Sequence, residues 1–230
     1  MNKYYTSSLF NSICILALLI VSFSQSANAQ WNTLVSGTTE HFSAVDFVSA
    51  NTGFAVTDDF VNGGKIFKTT NGTTWSQVYT SPNYLFTVHF ISASTGWAAG
   101  GVTPNGVIMK TTNGGATWTV QTTSVKQILS ICFVDENDGW AVGIDGTVGT
   151  HFIYHSSNGG TTWTQQSTGF DYLRTIDFAN TDEGIAAGDN GQVYTTSNGG
   201  VTWTQQTFPV FHISTVKMVN SSVAYVAGAY

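Results

Sequence analysis

Short segments with alternating apolar and polar side chains recur along the chain at regular intervals. Each is about seven residues long and rich in β-branched and aromatic residues. Period-two alternation of this kind predicts β-strands. The five segments that share the pattern are 41–47, 84–90, 127–133, 172–178 and 212–218.

Each of the first four segments is followed by three more short segments. A polar turn and a glycine precede a second apolar segment, a Gly-containing hairpin leads to a third, and an Asn-Gly turn leads to a fourth. Asn-Gly supplies the positive φ angles that tight hairpin turns need. Helical periodicity is absent from the sequence after residue 29, so we predict an all-β chain.

The turn before the fourth segment is the most repeated stretch of the sequence. Residues 156–163 recur as 111–118 and 196–203, and a copy one residue shorter spans 69–75. The tryptophans that end these copies are spaced by 43, 45 and 40 residues. Self-similarity at this period, with four strands per repeat, predicts a β-propeller of four-stranded antiparallel blades.

The repeats divide residues 30–230 into blades. We predict four complete blades at about 41–80, 84–123, 127–168 and 172–208, and a partial blade at 212–230. Residues 31–36, which begin at Trp31, look like a fourth strand without its blade and are predicted to close the ring. We therefore expect about four and a half blades of a six- to eight-bladed ring, with one to three blades missing from this sequence.

The N-terminus has the features of a secretory signal peptide. Lys3 precedes an apolar run at 13–23, and Ala27-Asn28-Ala29 forms a small-residue cleavage site, so we predict a signal peptide over 1–29. The apolar run is too short to span a bilayer as a helix, and no stable membrane span is expected after cleavage. The mature chain is predicted to be secreted, periplasmic or at the cell surface.

Composition narrows the classes of partner. Charged residues are 9% of the chain, with seven basic and thirteen acidic side chains and a net charge of −6. This surface offers no basic footprint for nucleic acid or an anionic membrane. Cys14 lies in the predicted signal peptide and Cys132 is then alone, which excludes an internal disulfide and a zinc cluster, so neither a metal nor a cofactor is expected.

The pattern Ser/Thr-x-Asn-x-Gly-x-Thr-Trp resembles the Asp-box (BNR-like) repeat, with asparagine in place of the usual aspartate. Propellers with this repeat include sialidases, xyloglucan-cleaving glycosidases, sortilin-like receptors and the photosystem II assembly and stability factors. The fuller unit, 173–203, is most similar to the photosystem II assembly factor type of repeat that occurs in secreted bacterial proteins.

We interpret the boxes as structural. The asparagine oxygen can accept hydrogen bonds from turn amides, the glycines permit the turn, and the tryptophan packs between elements. The residues assigned this role are Asn71, Trp75, Asn113, Trp118, Asn158, Trp163, Asn198 and Trp203.

Enzymatic activity is not expected, although the resemblance raises two alternatives. A sialidase, as the resemblance implies, needs three arginines, and the chain has only Arg174. A xyloglucan-cleaving glycosidase needs two carboxylates across a cleft, and Asp46 and Asp177 share one position in first strands. A polar lining of a solvated channel explains the same pattern.

His151 and His155 fall on one predicted strand, about 13 Å apart, and cannot share a metal ion.

Candidate binding residues lie at the end of the blades opposite the boxes. That end carries the starts of the first strands and the loops between second and third strands, and exposed aromatic side chains there are suited to recognition. The candidates are His41, Tyr84, Tyr172, Arg174, His212, Asp58 and Asp59.

The sequence thus favours an exported, non-catalytic scaffold that binds a protein or polysaccharide. The resemblance to the photosystem II assembly factors implies that a client protein binds through an arginine-rich patch. This chain has a single arginine, Arg174, and so differs from that pattern. A fragment of a propeller glycoside hydrolase is the alternative, and a purely structural module of a longer surface protein is a third possibility.

Overall fold

The computed structural model describes residues 38–59, 61–102, 105–122, 126–145, 150–170, 172–209 and 212–229. The predicted signal peptide (1–29) and closing strand (31–36) lie outside these residues. Within the described part of the chain there are strands and turns and no helix.

The described residues contain eighteen strands, which form four sheets of four strands and one sheet of two. Blade 1 contains β1 (Phe42–Phe47), β2 (Gly53–Thr57), β3 (Lys65–Thr69) and β4 (Ser76–Thr80). Blade 2 contains β5 (Leu85–Phe90), β6 (Gly96–Val102), β7 (Asn105–Thr111) and β8 (Thr119–Thr122). Blade 3 contains β9 (Gln127–Phe133), β10 (Gly139–Asp145), β11 (Thr150–Ser156) and β12 (Thr164–Phe170). Blade 4 contains β13 (Leu173–Phe178), β14 (Glu183–Gly188), β15 (Gln192–Ser197) and β16 (Thr204–Thr207), and blade 5 contains β17 (His212–Asn220) and β18 (Val223–Ala229).

Within each blade, consecutive strands pair antiparallel. The predicted all-β class with four-stranded antiparallel blades is therefore confirmed. The first strands, β1, β5, β9, β13 and β17, contact one another in sequence order, so they are the innermost strands of the array. All five carry a register shift near their start, after Phe42, Leu85, Ile128, Leu173 and Ile213.

The core lies between blades, and the first three junctions are built from the same stack of rings. Phe90, which ends β5, folds over Gly96 and stacks on Phe54 of blade 1, with ring centroids 3.5 Å apart. Trp118 meets the edge of Phe90 at 5.9 Å. The same stack joins Trp97 to Phe133 at 3.6 Å and Trp140 to Phe178 at 3.7 Å.

A glycine opposite each stacking phenylalanine makes this packing possible. A Cβ atom at Gly96 would lie 2.4 Å from the ring of Phe90. In blade 5 the corresponding pair is Ala224 opposite Met218. A flexible methionine leaves room for the alanine methyl group that a phenylalanine would exclude.

Candidate functional site at the loop face

The blades have two chemically different ends. The box face carries the Asn-Gly turns between third and fourth strands. The turns between first and second strands lie at the same end. In blade 2, for example, the N–H of Gly114 in the box donates to the carbonyl of Ser94 in the turn between β5 and β6, at 2.8 Å. The loop face is the opposite end, where first strands begin and second strands lead into third strands.

The box side chains make hydrogen bonds inside their own turns. Asn113 Oδ1 accepts the N–H of Thr117 at 2.9 Å, and Asn113 Nδ2 donates to Thr117 Oγ1 at 2.8 Å. Thr111 Oγ1 accepts the N–H of Gly115 at 3.0 Å. The boxes around Asn158 and Asn198 repeat these bonds, and Asn71 in the shorter box accepts the N–H groups of Thr73 and Thr74.

The box tryptophans pack against the phenylalanine that ends the first strand of the same blade. Their rings meet it edge to face, at centroid distances of 5.6 to 6.0 Å. The four pairs are Trp75 with Phe47, Trp118 with Phe90, Trp163 with Phe133 and Trp203 with Phe178. These contacts direct the box residues toward the blade interior and away from the loop face.

A cavity of about 320 Å³ lies among the five innermost strands. Its wall contains main-chain groups and hydroxyl side chains from all five. Its charged or titratable members are His89, Cys132, Arg174, Asp177 and Lys217. The cavity is therefore a polar channel segment, suited to an extended polar ligand rather than to a large apolar one.

The two carboxylates considered as a catalytic pair each accept a hydrogen bond from the first strand of the next blade. Asp46 accepts the backbone N–H of Phe90 in the next blade at 2.6 Å. Asp177 is buried, accepts the N–H of Met218 at 2.6 Å and lies 3.1 Å from Lys217 Nζ. Both carboxylates thus link the first strands of adjacent blades, which do not pair through their backbones.

Two further side chains at the same strand position are half-buried His89 and buried Cys132. His89 Nε2 donates to the carbonyl of Phe133 at 2.9 Å, and burial lowers the pKa of this imidazole. Burial also raises the pKa of the Cys132 thiol well above its usual range. Neither group is poised as a nucleophile or a proton donor at neutral pH.

Three of the predicted binding residues come together at the rim of the channel cavity. Arg174 donates two hydrogen bonds to Asp189, from Nε at 2.7 Å and from Nη2 at 2.9 Å. His212 of blade 5 contacts the same carboxylate through Nδ1, and Asp189 N–H donates to the Tyr172 carbonyl at 3.0 Å. We call Tyr172, Arg174, Asp189 and His212 the loop-face cluster.

Electrostatic interactions hold the Arg174–Asp189 pair in its charged form. The hydrogen bonds from Arg174 lower the pKa of Asp189, and His212 contributes in the same direction. The same contact raises the pKa of Arg174. The Arg174 side chain remains 46% exposed, so its outer N–H groups face solvent beside the cavity that it lines.

Tyr172 presents its ring to solvent from an unusual backbone position. Its φ angle is 56°, in the left-handed region that few non-glycine residues adopt. Its carbonyl lies so close to Gly188 that a Cβ there would be 1.7 Å away. Tyr172 as a whole is 50% exposed, and the centroid of its ring lies 5.9 Å from that of the His151 ring.

The other predicted binding residues lie on blades 1 and 2. Tyr84 borders a separate cavity of about 310 Å³ with Val61, Asn62 and Val102. Asp59 accepts hydrogen bonds from the backbone of Val61 at 2.8 Å and from Asn62 Nδ2 at 2.8 Å, and the latter lowers its pKa. These bonds shape the loop.

Asp58 precedes this turn and is half-buried, and His41 is exposed just before β1. The structure thus gathers Tyr172, Arg174 and His212 and leaves the remaining four candidates elsewhere on the same face.

The histidines at 151 and 155 both lie on β11, as predicted. His155 Nε2 lies 3.2 Å from Asp138 Oδ1. Within the described ranges, no three His, Cys, Asp or Glu side chains are grouped so that they could hold a metal ion. The same part of the chain contains no helix long and apolar enough to cross a membrane.

Asp189 is the member of the cluster whose role the sequence did not reveal. It occupies one of the loops between second and third strands that carry acidic residues in several blades. This repeated acidic position was the only sequence feature that pointed to Asp189. Its partners come from the start of β13 and from the next blade, so the pairing depends on how two blades meet.

Solved structures with the same architecture include three at low sequence identity. YCF48 bound to D1 peptide is 18% identical over 83% of this chain and 61% of that chain, with a TM-score of 0.61. YCF48 from Cyanidioschyzon merolae is 19% identical over 84% and 65%, with a TM-score of 0.62. The GH74 enzyme from Niastella koreensis is 17% identical over 86% and 34%, with a TM-score of 0.64.

These similarities confirm the β-propeller fold. The chain spans less than two thirds of the length of either YCF48 structure. No protein-family model matches the sequence, and no curated protein matches it.

Proposed function

We propose that this chain is an exported, non-catalytic Asp-box propeller that binds a peptide segment of a protein partner at the loop-face cluster. The observation that carries the proposal is the convergence of Tyr172, Arg174 and His212 on Asp189 at the rim of a polar channel cavity. Aromatic and arginine side chains are the usual anchors of protein recognition.

The geometry suits a peptide backbone. Arg174 is held in place by two bonds to Asp189 and keeps N–H groups toward solvent, so it can donate to a peptide carbonyl or carboxylate with little loss of side-chain entropy. Tyr172 offers a half-exposed ring beside it. The cavity behind them supplies hydroxyl groups and Lys217.

The comparison with YCF48 supports the same class of ligand, because that propeller has been solved with a D1 peptide. A glycoside hydrolase is less well supported on physical grounds. Asp46 and Asp177 each accept a strand N–H in the next blade, so neither carboxylate is available without breaking a junction.

Selection of displayed peptides on the purified chain tests the proposal. Dodecapeptides recovered from a random phage library are assayed by fluorescence anisotropy against the wild type and the Tyr172→Ala and Arg174→Ala variants. We expect each substitution to weaken binding at least tenfold, as anchor residues do. Gln206→Ala, at an exposed position on β16, is the control and leaves the affinity unchanged.

Peptides that bind both variants as tightly as the wild type would overturn the assignment of the site. Failure to recover any peptide, together with binding or cleavage of polysaccharide, would replace the proposed partner class.

A further inference from the structure

The sequence contains seven Asn-Gly dipeptides, in which asparagine loses its side-chain amide most readily. The backbone nitrogen of the residue that follows attacks the amide carbon, and glycine hinders this attack least because it has no side chain. The fold decides where the attack occurs, because both groups must be free to approach each other. The dipeptides begin at Asn62, Asn71, Asn105, Asn113, Asn158, Asn190 and Asn198.

In the four box dipeptides, hydrogen bonds hold both reacting groups. In the box of blade 4, Asn198 Oδ1 accepts the N–H of Thr202 at 2.9 Å, and Asn198 Nδ2 donates to Thr202 Oγ1 at 2.9 Å. The N–H of Gly199 donates to the Asp182 carbonyl at 2.9 Å. The other three boxes make the same kinds of bond. A box asparagine can therefore react only after its turn has opened.

Two of the remaining dipeptides are also constrained. Asn62 Nδ2 donates to Asp59 Oδ2 at 2.8 Å, and the N–H of Gly63 donates to the Asp59 carbonyl at 3.1 Å. Asn105-Gly106 begins β7 and is paired with the end of β6. The first is therefore fixed by its loop and the second by its sheet.

Asn190 and Gly191 form the turn between β14 and β15, beside the loop-face cluster. Their φ angles are 58° and 66°, the pair of positive values that defines a type I′ turn. Gln192 N–H closes the turn by donating to the Asp189 carbonyl at 3.2 Å. Asn190 is exposed. In the part of the chain that the structure describes, neither its side-chain amide nor the peptide group that joins it to Gly191 has a hydrogen-bond partner.

A peptide group without hydrogen bonds can rotate within its turn. Rotation of the Asn190–Gly191 peptide converts a type I′ turn into a type II′ turn, in which the ψ angle of the first central residue is about −120°. At that angle the Gly191 nitrogen lies on the same side as the Asn190 Cβ, which is the arrangement that attack on Cγ requires. The bond from Gln192 to Asp189 can remain, because both turn types share it.

We propose that Asn190 is a site of spontaneous deamidation, which adds a negative charge beside Asp189. The nitrogen of Gly191 loses its proton and forms a bond to Asn190 Cγ, the Cγ–Nδ2 bond breaks, and ammonia leaves with that proton. Water then opens the resulting five-membered imide at either carbonyl, which gives aspartate or isoaspartate at position 190. Water is the only co-reactant, and no atom is oxidised or reduced.

The new carboxylate changes the charge of the loop-face cluster. Arg174 and His212 both contact the Asp189 carboxylate. A carboxylate on the adjacent residue competes with a ligand carbonyl or carboxylate for the exposed N–H groups of Arg174. Isoaspartate also lengthens the main chain of the turn by one methylene group, which moves Asp189 relative to Arg174. The chemistry at Asn190 does not depend on the proposed function, whereas its effect on peptide affinity rests on that function.

The rate of modification is measured on the purified full chain, incubated at mildly alkaline pH. Samples are digested with pepsin at acid pH, and mass spectrometry follows the exchange of ammonia for water at each asparagine. Protein isoaspartate methyltransferase labels the isoaspartate product independently. Asn198 is the matched control, because it has the same dipeptide in the same blade. We expect modification at Asn190 to be at least about tenfold faster than at Asn198.

Incubation in urea separates the effect of the fold from that of the sequence. Once the chain is unfolded, the two rates should converge, because no hydrogen bond then distinguishes the dipeptides. Equal rates in the folded chain would overturn the proposal. A rate at Asn190 that is negligible in the folded chain and appears only in urea would overturn it as well.

The Asn190→Asp variant measures the consequence for binding. Asn198→Asp, which adds the same charge on the box face, is its control. We expect peptides selected on the wild type to bind Asn190→Asp several-fold more weakly and Asn198→Asp with unchanged affinity. Equal affinity of all three proteins would contradict the effect on the cluster. If the wild type binds no peptide, the proposed function fails, and the two modification rates still decide the chemistry at Asn190.

Discussion

Trp97 on β6 donates a hydrogen bond from Nε1 to the carbonyl of Gly159, 62 residues later in the chain. The bond crosses from blade 2 to the box turn of blade 3, while the indole ring stacks on Phe133 of that blade. One side chain therefore supplies both the apolar and the polar contact of a blade junction.

Replacing Trp97 by phenylalanine separates these two contacts. The ring stack is retained in large part, as Phe54 shows at the first junction, but the buried Gly159 carbonyl loses its donor. We expect a loss of about 1–2 kcal/mol in the free energy of unfolding, measured by urea titration.

Trp203→Phe is the matched control for that measurement. Within the described residues, Trp203 Nε1 is buried and has no acceptor, so the same change in volume removes no hydrogen bond. Equal losses in the two variants would show that volume, and not the bond to Gly159, sets the effect.

Gly96→Ala tests the stack of Phe90 on the second strand. The added methyl group would lie 2.4 Å from the ring, and we expect a loss of about 1–3 kcal/mol in the free energy of unfolding. Combining it with Phe90→Met reproduces the pair that blade 5 uses, Met218 and Ala224.

A double-mutant cycle at 90 and 96 measures the coupling. The double variant should lose less than the sum of the single losses, because the methionine can move away from the methyl group. Simple additivity would mean that the clash is relieved elsewhere, for example by a shift of β6.

Trp118→Ala probes the structural role assigned to the boxes. Trp118 is 9% exposed and packs against Phe90 and Tyr79, so its truncation leaves a cavity and is expected to cost about 3–5 kcal/mol. Molecules that remain folded should bind any loop-face peptide with unchanged affinity. A parallel loss of affinity in the folded fraction would contradict the separation of box face and binding face.

The contact between Asp189 and Arg174 predicts an acid-sensitive contribution to stability. The folded-state pKa of Asp189 is lowered, chiefly by the hydrogen bonds from Arg174. This contribution is therefore complete above the unfolded-state pKa of a carboxyl group, about 3.9, and is lost as the pH falls through the lower folded-state value.

Urea titrations between pH 7 and pH 2.5 measure this dependence. The difference in unfolding free energy between the wild type and Asp189→Asn should be constant near neutrality and shrink below about pH 4. Asp182→Asn, at an exposed turn on the box face, serves as the comparison. A difference that does not change with pH would show that the charge of Asp189 contributes nothing.

The architecture was predictable because its signals are local. Alternation predicts each strand, the Asn-Gly turns predict the hairpins, and the spacing of Trp75, Trp118 and Trp163 predicts the repeat. The junctions were not predictable, because the partner of Phe90 lies in the preceding blade and the requirement for Gly96 follows only from that stack.

For the candidate site, the sequence predicted which face carries the residues but not how they contact one another. Strand order places Tyr172, Arg174 and His212 on one face, and this much follows from topology. Their convergence on Asp189 depends on a loop conformation and on contact between blades 4 and 5, which no periodicity encodes. The clamping roles of Asp46 and Asp177 likewise required the position of the neighbouring strand.

The hydrogen bonds that cross blade boundaries between first strands join consecutive repeats. Ser43 reaches Leu85, Ser130 accepts from Ile176 and Thr175 accepts from Val216, each one blade further along the chain. The partner in each case is a backbone group of the next first strand, so an in-frame duplication or deletion of one repeat presents a backbone partner of the same kind at the new boundary. Arrays of this kind can change length by recombination between repeats without a compensating substitution at any other boundary.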